Sequence, residues 1–240
     1  MSLPESVQRV AAVLAERGHA HAPRLLDESA RTAQEAADAL GVQLGQIAKS
    51  IVFKREPDQM AVMVVTSGDQ RVDERKLADR VCPSGHKLVR ADADFVRQRT
   101  GFAIGGVAPL GHLQTPVLLL DLSLFRFDQV WAAAGHPHAV FPASPAQLAR
   151  LSGARLEEVS TQGMDLAARG RALLRARAAI VADEPDPPSP CLSVCCMAPD
   201  TGLCMGCLRT LDEIAAWGGM RPSGRHAVWK SIAQRAADGG

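Results

Sequence analysis

No run of about 18 apolar residues interrupts the chain, so no membrane-spanning helix is expected. The opening MSLPESVQRVAAVLAERG carries Glu5, Arg9, Glu16 and Arg17 where a signal peptide needs an unbroken apolar stretch, and no small-residue cleavage site follows. Surplus charge is also missing. Lys and Arg number 27 against 26 Asp and Glu, a net charge of +1. This excludes a globally basic nucleic-acid binder; DNA is not an expected partner, and contact with RNA needs a local patch. No internal repeat is present. The phosphate-loop pattern GxxxxGK[ST], the dinucleotide pattern GxGxxG and the nucleophile elbow GxSxG are absent too. The expected location is the cytoplasm, where clustered cysteines are metal ligands or redox centres more often than disulfides.

What is present is enough for a core: 47% of the 240 residues are hydrophobic and 22% charged. The run ADEPDPPSP, Ala182 to Pro190, resists helix formation and reads as a linker. It divides the chain into residues 1–158, a helical and proline-rich connection 159–187, and a small tail 188–240. A tail of that size needs disulfides, a metal or a partner surface to fold. The larger part alternates in type. Val7, Val10, Val13 and Leu14 recur at helical spacing. Thr32-Ala-Gln-Glu35 reads as a capping box, and the helix it opens stops at Gly41. Gln46 to Lys49 reads as a short helical turn feeding the strand SIVFK. AVMVVTS and PVLLLDLSL read as further strands, DERKLADRV as a helix, KLVRA as a strand, and DADFVRQRTG as a helix. DQVWAAAG and HAVFPA read as a strand pair, Ser144-Pro145 opens a helix, and 162–181 reads as an Ala/Arg-rich helix. Strands and helices out of strict βαβ order imply an α+β fold with a mixed sheet.

Two stretches carry candidate chemistry. In GQIAKSIVF, Lys49 places a charge at the entrance of an apolar strand, with Ser50 beside it. Alone, such a lysine is a solvated residue that favours a helix dipole. In TGFAIGGVAPLGH, residues 100–112, Gly101, Gly105, Gly106, Pro109 and Gly111 fall close together. Glycines let the backbone approach a ligand, and consecutive exposed N–H groups can hold an anion or a developing oxyanion. The plain reading of the same loop is a glycine-rich turn.

The segments IAKSIVF, RTGFAIGGVAPLGH and GHPHAVF, in that order, resemble the YbaK/ProX aminoacyl-tRNA deacylases, free-standing relatives of the editing domain of bacterial prolyl-tRNA synthetases. The resemblance spans roughly residues 5–155. It implies a mixed, barrel-like sheet flanked by helices, and hydrolysis of mischarged tRNA, typically tRNA for proline carrying Cys, Ala or another small amino acid. It implies prolyl-tRNA synthetase as a partner and no cofactor for deacylation. Lys49 matches the family lysine and would bind the tRNA 3′ end. Gly105 to Pro109 matches the GxxxP loop and would stabilise the oxyanion, with Gly106 inside it. His136 falls where some members carry Gly-His-Pro beside the pocket. Ser50 stands where some alanine-specific members carry Asn. Ser50, Gly101, His136 and Asp121 are candidate substrate contacts; Asp121 reads equally as a strand-end turn residue.

In the tail, Cys191-x3-Cys195 and Cys204-x2-Cys207 form two pairs separated by the turn-rich APDTG. Four thiolates from two such pairs suit one metal site. Zinc and an iron–sulfur cluster both accept four cysteines, so spacing does not choose between them. Cys196 competes with Cys195 for one place. SPCLSVC with DTGLCMGCLRTLDEIAAW and RHAVW, about 188–235, resembles a small bacterial domain of the YdhL type, which is assigned as an iron–sulfur protein by prediction. Leu211, Ile214 and Trp217 would pack one helix face on the metal knuckle.

The remaining polar residues have plainer readings. His19 and His21 form HxH, a metal pair or a polar turn. His112 and His138 line the cleft or are exposed, and Cys82 is an isolated thiol. Arg71, Arg75, Lys76, Arg80, Lys87 and Arg90 are interleaved with acids, as an ordinary solvated face or as a rim for tRNA phosphates. The alternative function is a metal-binding or redox-sensing module whose N-terminal fold only binds tRNA or a synthetase.

Overall fold

The β-branched runs of the first 160 residues become strands of one sheet. The protein is described here by a computed structural model covering residues 3–26, 32–163, 166–191 and 196–238. Two compact units result, Met1–Gly163 and Met164–Gly240.

In the first unit, the strands are β1 (Arg24–Leu25), β2 (Ile47–Glu56), β3 (Met60–Ser67), β4 (Lys87–Arg90), β5 (Val117–Asp121), β6 (Val130–Ala133), β7 (Ala139–Ala143) and β8 (Arg155–Glu157). They form one eight-stranded sheet in the order β1-β7-β6-β2-β3-β5-β8, with β4 also on β2. The sheet is mixed, as expected, and open rather than closed, with β1 and β8 at its ends. β2 is its hinge piece. One edge pairs with β3 along residues 48–55. The other edge serves two partners, β6 at residues 47–48 and β4 at residues 53–56. Between them, residues 49–52 have no strand neighbour on that side among the described residues, and Lys49 sits in this interval.

The helices are α1 (Glu5–Glu16), α2 (Ala33–Leu40), α3 (Glu74–Val81), α4 (Ala93–Thr100) and α5 (Pro145–Ser152). Their ends follow local chemistry. Thr32 and Glu35 form the capping box of α2, Asp92 caps α4, and Ser144 with Gln147 caps α5. Each of these three helices ends on a left-handed glycine, Gly41, Gly101 or Gly153. α1 buries Val7, Val10 and Leu14. α3 covers Phe53, Val62 and Val64 with Leu77 and Val81, and α2 packs Ala36 and Ala37 over Ile47 and Val140.

Two expected elements are shifted. The helical turn before Lys49 is a 3-10 turn over Leu44–Gln46, so Lys49 lies inside β2 rather than at its junction. The run PVLLLDLSL is strand only to Asp121, and Leu122–Arg126 is a 3-10 helix, because Asp121 caps it by accepting from Ser123 N.

The second unit is built on α6 (Leu166–Ile180), α7 (Leu211–Ala216) and α8 (Pro222–Asp238). Leu174, Ala178 and Val181 pack on Val228, Trp229, Ile232 and Ala236. The helix expected at 162–181 therefore belongs to this core. The proline-rich run is held as well: Trp229 Nε1 donates to Pro188 O (2.9 Å) and Arg225 pairs with Asp186 (2.7 Å). Leu211 was expected on a buried face but is 66% exposed, while Trp217 packs in the core.

Candidate active site

The interval where β2 loses its second neighbour opens a pocket of about 190 Å³. Its wall comes from β2 (Ile47, Lys49, Ser50), the start of α2 (Thr32, Ala33, Ala36), β6 (Trp131, Ala133) and the glycine loop (Gly105, Val107). The lining is mostly apolar, with few polar groups. Drug-sized sites run to about 300–1,000 Å³, so this one suits a small group.

Lys49 is half-buried and stands opposite Thr66. Its Nζ donates to Gly68 O at 2.9 Å. Gly68 can only be glycine: a Cβ there would meet Leu44 O at 2.2 Å. The same corner is tied by Ser67 Oγ donating to Gly45 O, and by Arg126 on Asp69 (2.7 Å) and on Ser67 Oγ (2.9 Å). Burial pushes the Lys49 ammonium below the usual lysine range, Asp69 opposes that shift and Arg71 adds to it.

Among the described residues, two polar atoms of the wall have no partner. Ser50 Oγ and Trp131 Nε1 are both buried without a hydrogen bond. Thr66 Oγ1, on the strand beside Lys49, is in the same condition.

The glycine loop is held by α1. Arg9 Nε donates to Gly111 O and Arg9 Nη2 to Gly101 O, each at 2.9 Å, with the guanidinium 4.8 Å from the Phe102 ring centroid. Gly105 has φ +90°, a conformation that disfavours a side chain. Gly106 packs on the backbone of His136, where a Cβ would come within 2.6 Å. The N–H of Gly106 donates to Ala103 O (3.0 Å). Of this loop, Gly105 and Val107 line the pocket.

The candidate residues thus separate. Lys49, Ser50 and Gly105 meet in one pocket. Gly106 and Pro109 are buried behind it. Gly101 is the cap of α4, with its carbonyl taken by Arg9. Asp121 lies away from the wall, fully buried, and accepts from Ser123 N (3.0 Å), Val159 N (2.8 Å) and Ser160 Oγ (3.1 Å). Its geometry is that of a strand-end turn residue. His136 is not in the lining, although its neighbour Pro137 is; His136 Nδ1 accepts from His138 N (3.2 Å). His112 Nε2 donates to Ala108 O (2.8 Å), and burial lowers its pKa, so it holds the loop as a neutral ring. His19 Nε2 donates to Pro142 O (2.9 Å) against Phe141, which leaves HxH as a packed turn. Cys82 packs beside the α3 core, and burial raises its thiol.

The interleaved basic residues are largely engaged. Arg90 pairs with Glu74 (2.9 Å), Lys87 with Glu56 (3.3 Å) and Arg80 with Glu157 (3.4 Å), and Lys76 donates to Ser160 O (3.1 Å). This favours the solvated face over a phosphate rim. Trp131, Thr32, Ala33 and Val107 were not singled out from sequence. Thr32 announced only a helix start, and Trp131 only a strand; neither pattern says which cavity a strand will face.

In the second unit, Cys204 and Cys207 are each 2% exposed, while Cys191 and Cys196 are exposed. Cys195 lies outside the described residues. Cys204 O accepts from Leu208 N (2.7 Å), and the buried Arg209 donates Nε to Cys207 Sγ (3.3 Å). Burial alone would raise the Cys204 thiol; the N–H groups of Cys207 and Gly206 and the Cys207 side chain outweigh it and lower it. Among the described residues no three His, Cys, Asp or Glu side chains converge as a metal site.

Comparison with known proteins places both parts of the chain in families. Residues 189–236 match a family described as a protein of unknown function, DUF1289. The uncharacterized protein YwhH of Bacillus subtilis is 35% identical over 126 residues, which is 52% of this chain and 78% of that protein. Proline–tRNA ligase of Limosilactobacillus fermentum is 33% identical over 98 residues, 40% of this chain but 17% of the ligase. A crystal structure of a protein proposed as a trans-editing enzyme for prolyl tRNA synthetase superimposes with a TM-score of 0.61 at 42% identity, over 66% of this chain and 99% of that one. Residues 27–151 match the aminoacyl-tRNA editing domain model, and the chain belongs to that family.

Proposed function

We propose that the pocket hydrolyses the ester of a mischarged aminoacyl-tRNA, releasing a small amino acid from tRNA for proline. One observation carries the reading: in a chain of the editing family, Lys49 and Gly105 face one small, mostly apolar cavity. A synthetase pocket discriminates poorly against a smaller or near-isosteric amino acid, so a second hydrolytic site is needed. The Lys49 ammonium draws the phosphate or ribose oxygens of the tRNA 3′ end. Water attacks the ester carbonyl, and the tetrahedral oxyanion is met by the N–H of Gly105 or Val107. The ester bond then breaks, and the proton passes to the ribose oxygen. Among the described wall residues Ser50 has no imidazole or carboxylate to activate it, so attack is assigned to water. The similarity to part of a proline–tRNA ligase supports that synthetase as a partner.

The test is deacylation of cysteinyl- and alanyl-tRNA for proline. Wild type should hydrolyse at least one, and Lys49→Ala should lose about 100-fold, the scale of one preorganised charged contact. Intact substrate with wild type, or full activity in Lys49→Ala, overturns the reading.

A second reading concerns the tail. Two buried cysteines sharing a turn favour thiolate ligation of a metal by Cys204 and Cys207, with Cys191 and Cys195 as the remaining candidates. Such a metal, zinc or an iron–sulfur cluster, would stabilise the fold of the second unit. Metal analysis and visible absorption of anaerobically purified protein decide it: a broad visible band marks a cluster, colourless protein with stoichiometric zinc marks a knuckle, and metal-free protein rejects both.

A further inference from the structure

The pocket contains a donor that the folding of the protein does not use. Trp131 packs on the cluster that holds Ala36, Ala37, Ile47 and Val140, an apolar setting that asks for a ring and not for a polar atom. Its indole N–H is nevertheless buried without an acceptor among the described residues, and Trp131 belongs to the wall that also holds Lys49 and Ser50. Most buried polar groups find a partner, so an orphan in a ligand pocket points to the ligand. The indole can only donate. The atom it meets must therefore be an acceptor. Trp131 and Ala33 pack on one apolar cluster with Ala36, Ile47 and Val140, a setting too apolar to receive a phosphate. The charged end of the substrate belongs with Lys49, and the acyl end with Trp131.

We propose that Trp131 is a substrate-binding residue whose indole N–H donates to an oxygen of the aminoacyl group. The proposal rests on the editing reading of this pocket. It separates the two halves of the substrate: Lys49 holds the nucleotide, and Trp131 reads the acyl oxygen. An acyl group turned the wrong way leaves the indole unpaired, which makes Trp131 a device of orientation as well as of affinity.

The test uses the full chain and two probes: 3′-alanylamino-3′-deoxyadenosine, whose amide is not hydrolysed, and AMP, which lacks the acyl group. Trp131→Phe removes the donor and keeps a ring. It should weaken the aminoacyl probe about tenfold, the worth of one net hydrogen bond, leave AMP within about twofold, and leave Tm equal or higher because the lost donor was unpaired. Unchanged affinity for the aminoacyl probe overturns the proposal. So does an equal loss on AMP, which puts the acceptor on the nucleotide. Should the variant not fold, the wild-type indole proton resonance of Trp131 decides instead, assigned by Trp217→Phe and Trp229→Phe. It should shift with the aminoacyl probe and not with AMP, and the reverse overturns the assignment. Wild type that binds the aminoacyl probe but leaves both charged tRNAs intact overturns the hydrolytic reading and not the indole contact. Wild type that binds neither probe overturns both.

Discussion

Lys49 and Asp121 illustrate opposite fates of a charged residue in one sheet. Lys49 keeps two of its three ammonium protons after donating to Gly68 O, and its burial favours the neutral form. Asp69 holds the charge in place against that tendency. Asp69→Asn should therefore lower the Lys49 pKa further. If the ammonium is the active form, the alkaline limb of the deacylation profile moves to lower pH, once background ester hydrolysis is subtracted; a limb that stays or moves upward contradicts this. Asp121 is spent on the fold. Asp121→Ala strands two backbone N–H groups and a hydroxyl, and should cost about 3 kcal/mol of stability in a denaturant titration. The kcat of the remaining folded protein should hardly change.

At the scale of elements, the glycine loop depends on a helix distant in sequence. Arg9 spans 92 residues to Gly101 and 102 to Gly111. Arg9→Ala should free the loop and reduce kcat/KM about 10- to 100-fold, chiefly through kcat, since misplacing an oxyanion donor by 1 Å is that costly. Arg9→Lys should recover part of it. Gly106→Ala should be at least as damaging, because its methyl would strike the His136 backbone. What could be read from sequence divides along the same line. The caps at Thr32 and Ser144 were legible because every partner lies within three residues. The Lys49 and Gly105 motifs were legible as unusual local patterns, and the fold brings both to one pocket. The two-partner edge of β2, the Arg9 staple and the orientation of Trp131 were not, because each depends on pairings between distant strands and helices that no local pattern encodes. Gly101 misled for the same reason: a helix cap looks in sequence like a loop ligand. For Asp121 the structure favours the turn reading of the two that the sequence left open.

The molecule as a whole consists of two units with separate cores. The solved protein proposed as a trans-editing enzyme is covered to 99% by the part of this chain that it matches, so the editing fold stands alone there. A fragment of residues 1–163 should fold and keep deacylation of mischarged tRNA within about threefold; an unfolded or inactive fragment would show that the second unit is required. Cys204→Ser should instead lower the thermal stability of the second unit and leave the first transition unmoved in a calorimetric scan, because the thiol is buried beside Cys207. The tethering of the proline-rich run also bears on where this protein can be cut. A graft of the cysteine-bearing segment starting at residue 191 would discard α6, Asp186 and the carbonyl of Pro188. Three of the seven buried core residues, Leu174, Ala178 and Val181, would be lost from over Val228, Trp229, Ile232 and Ala236, and the indole of Trp229 would be deprived of its acceptor. The transplantable module begins at α6, well before the first cysteine, so a fusion or a crystallisation fragment designed around the cysteines alone is set up to aggregate.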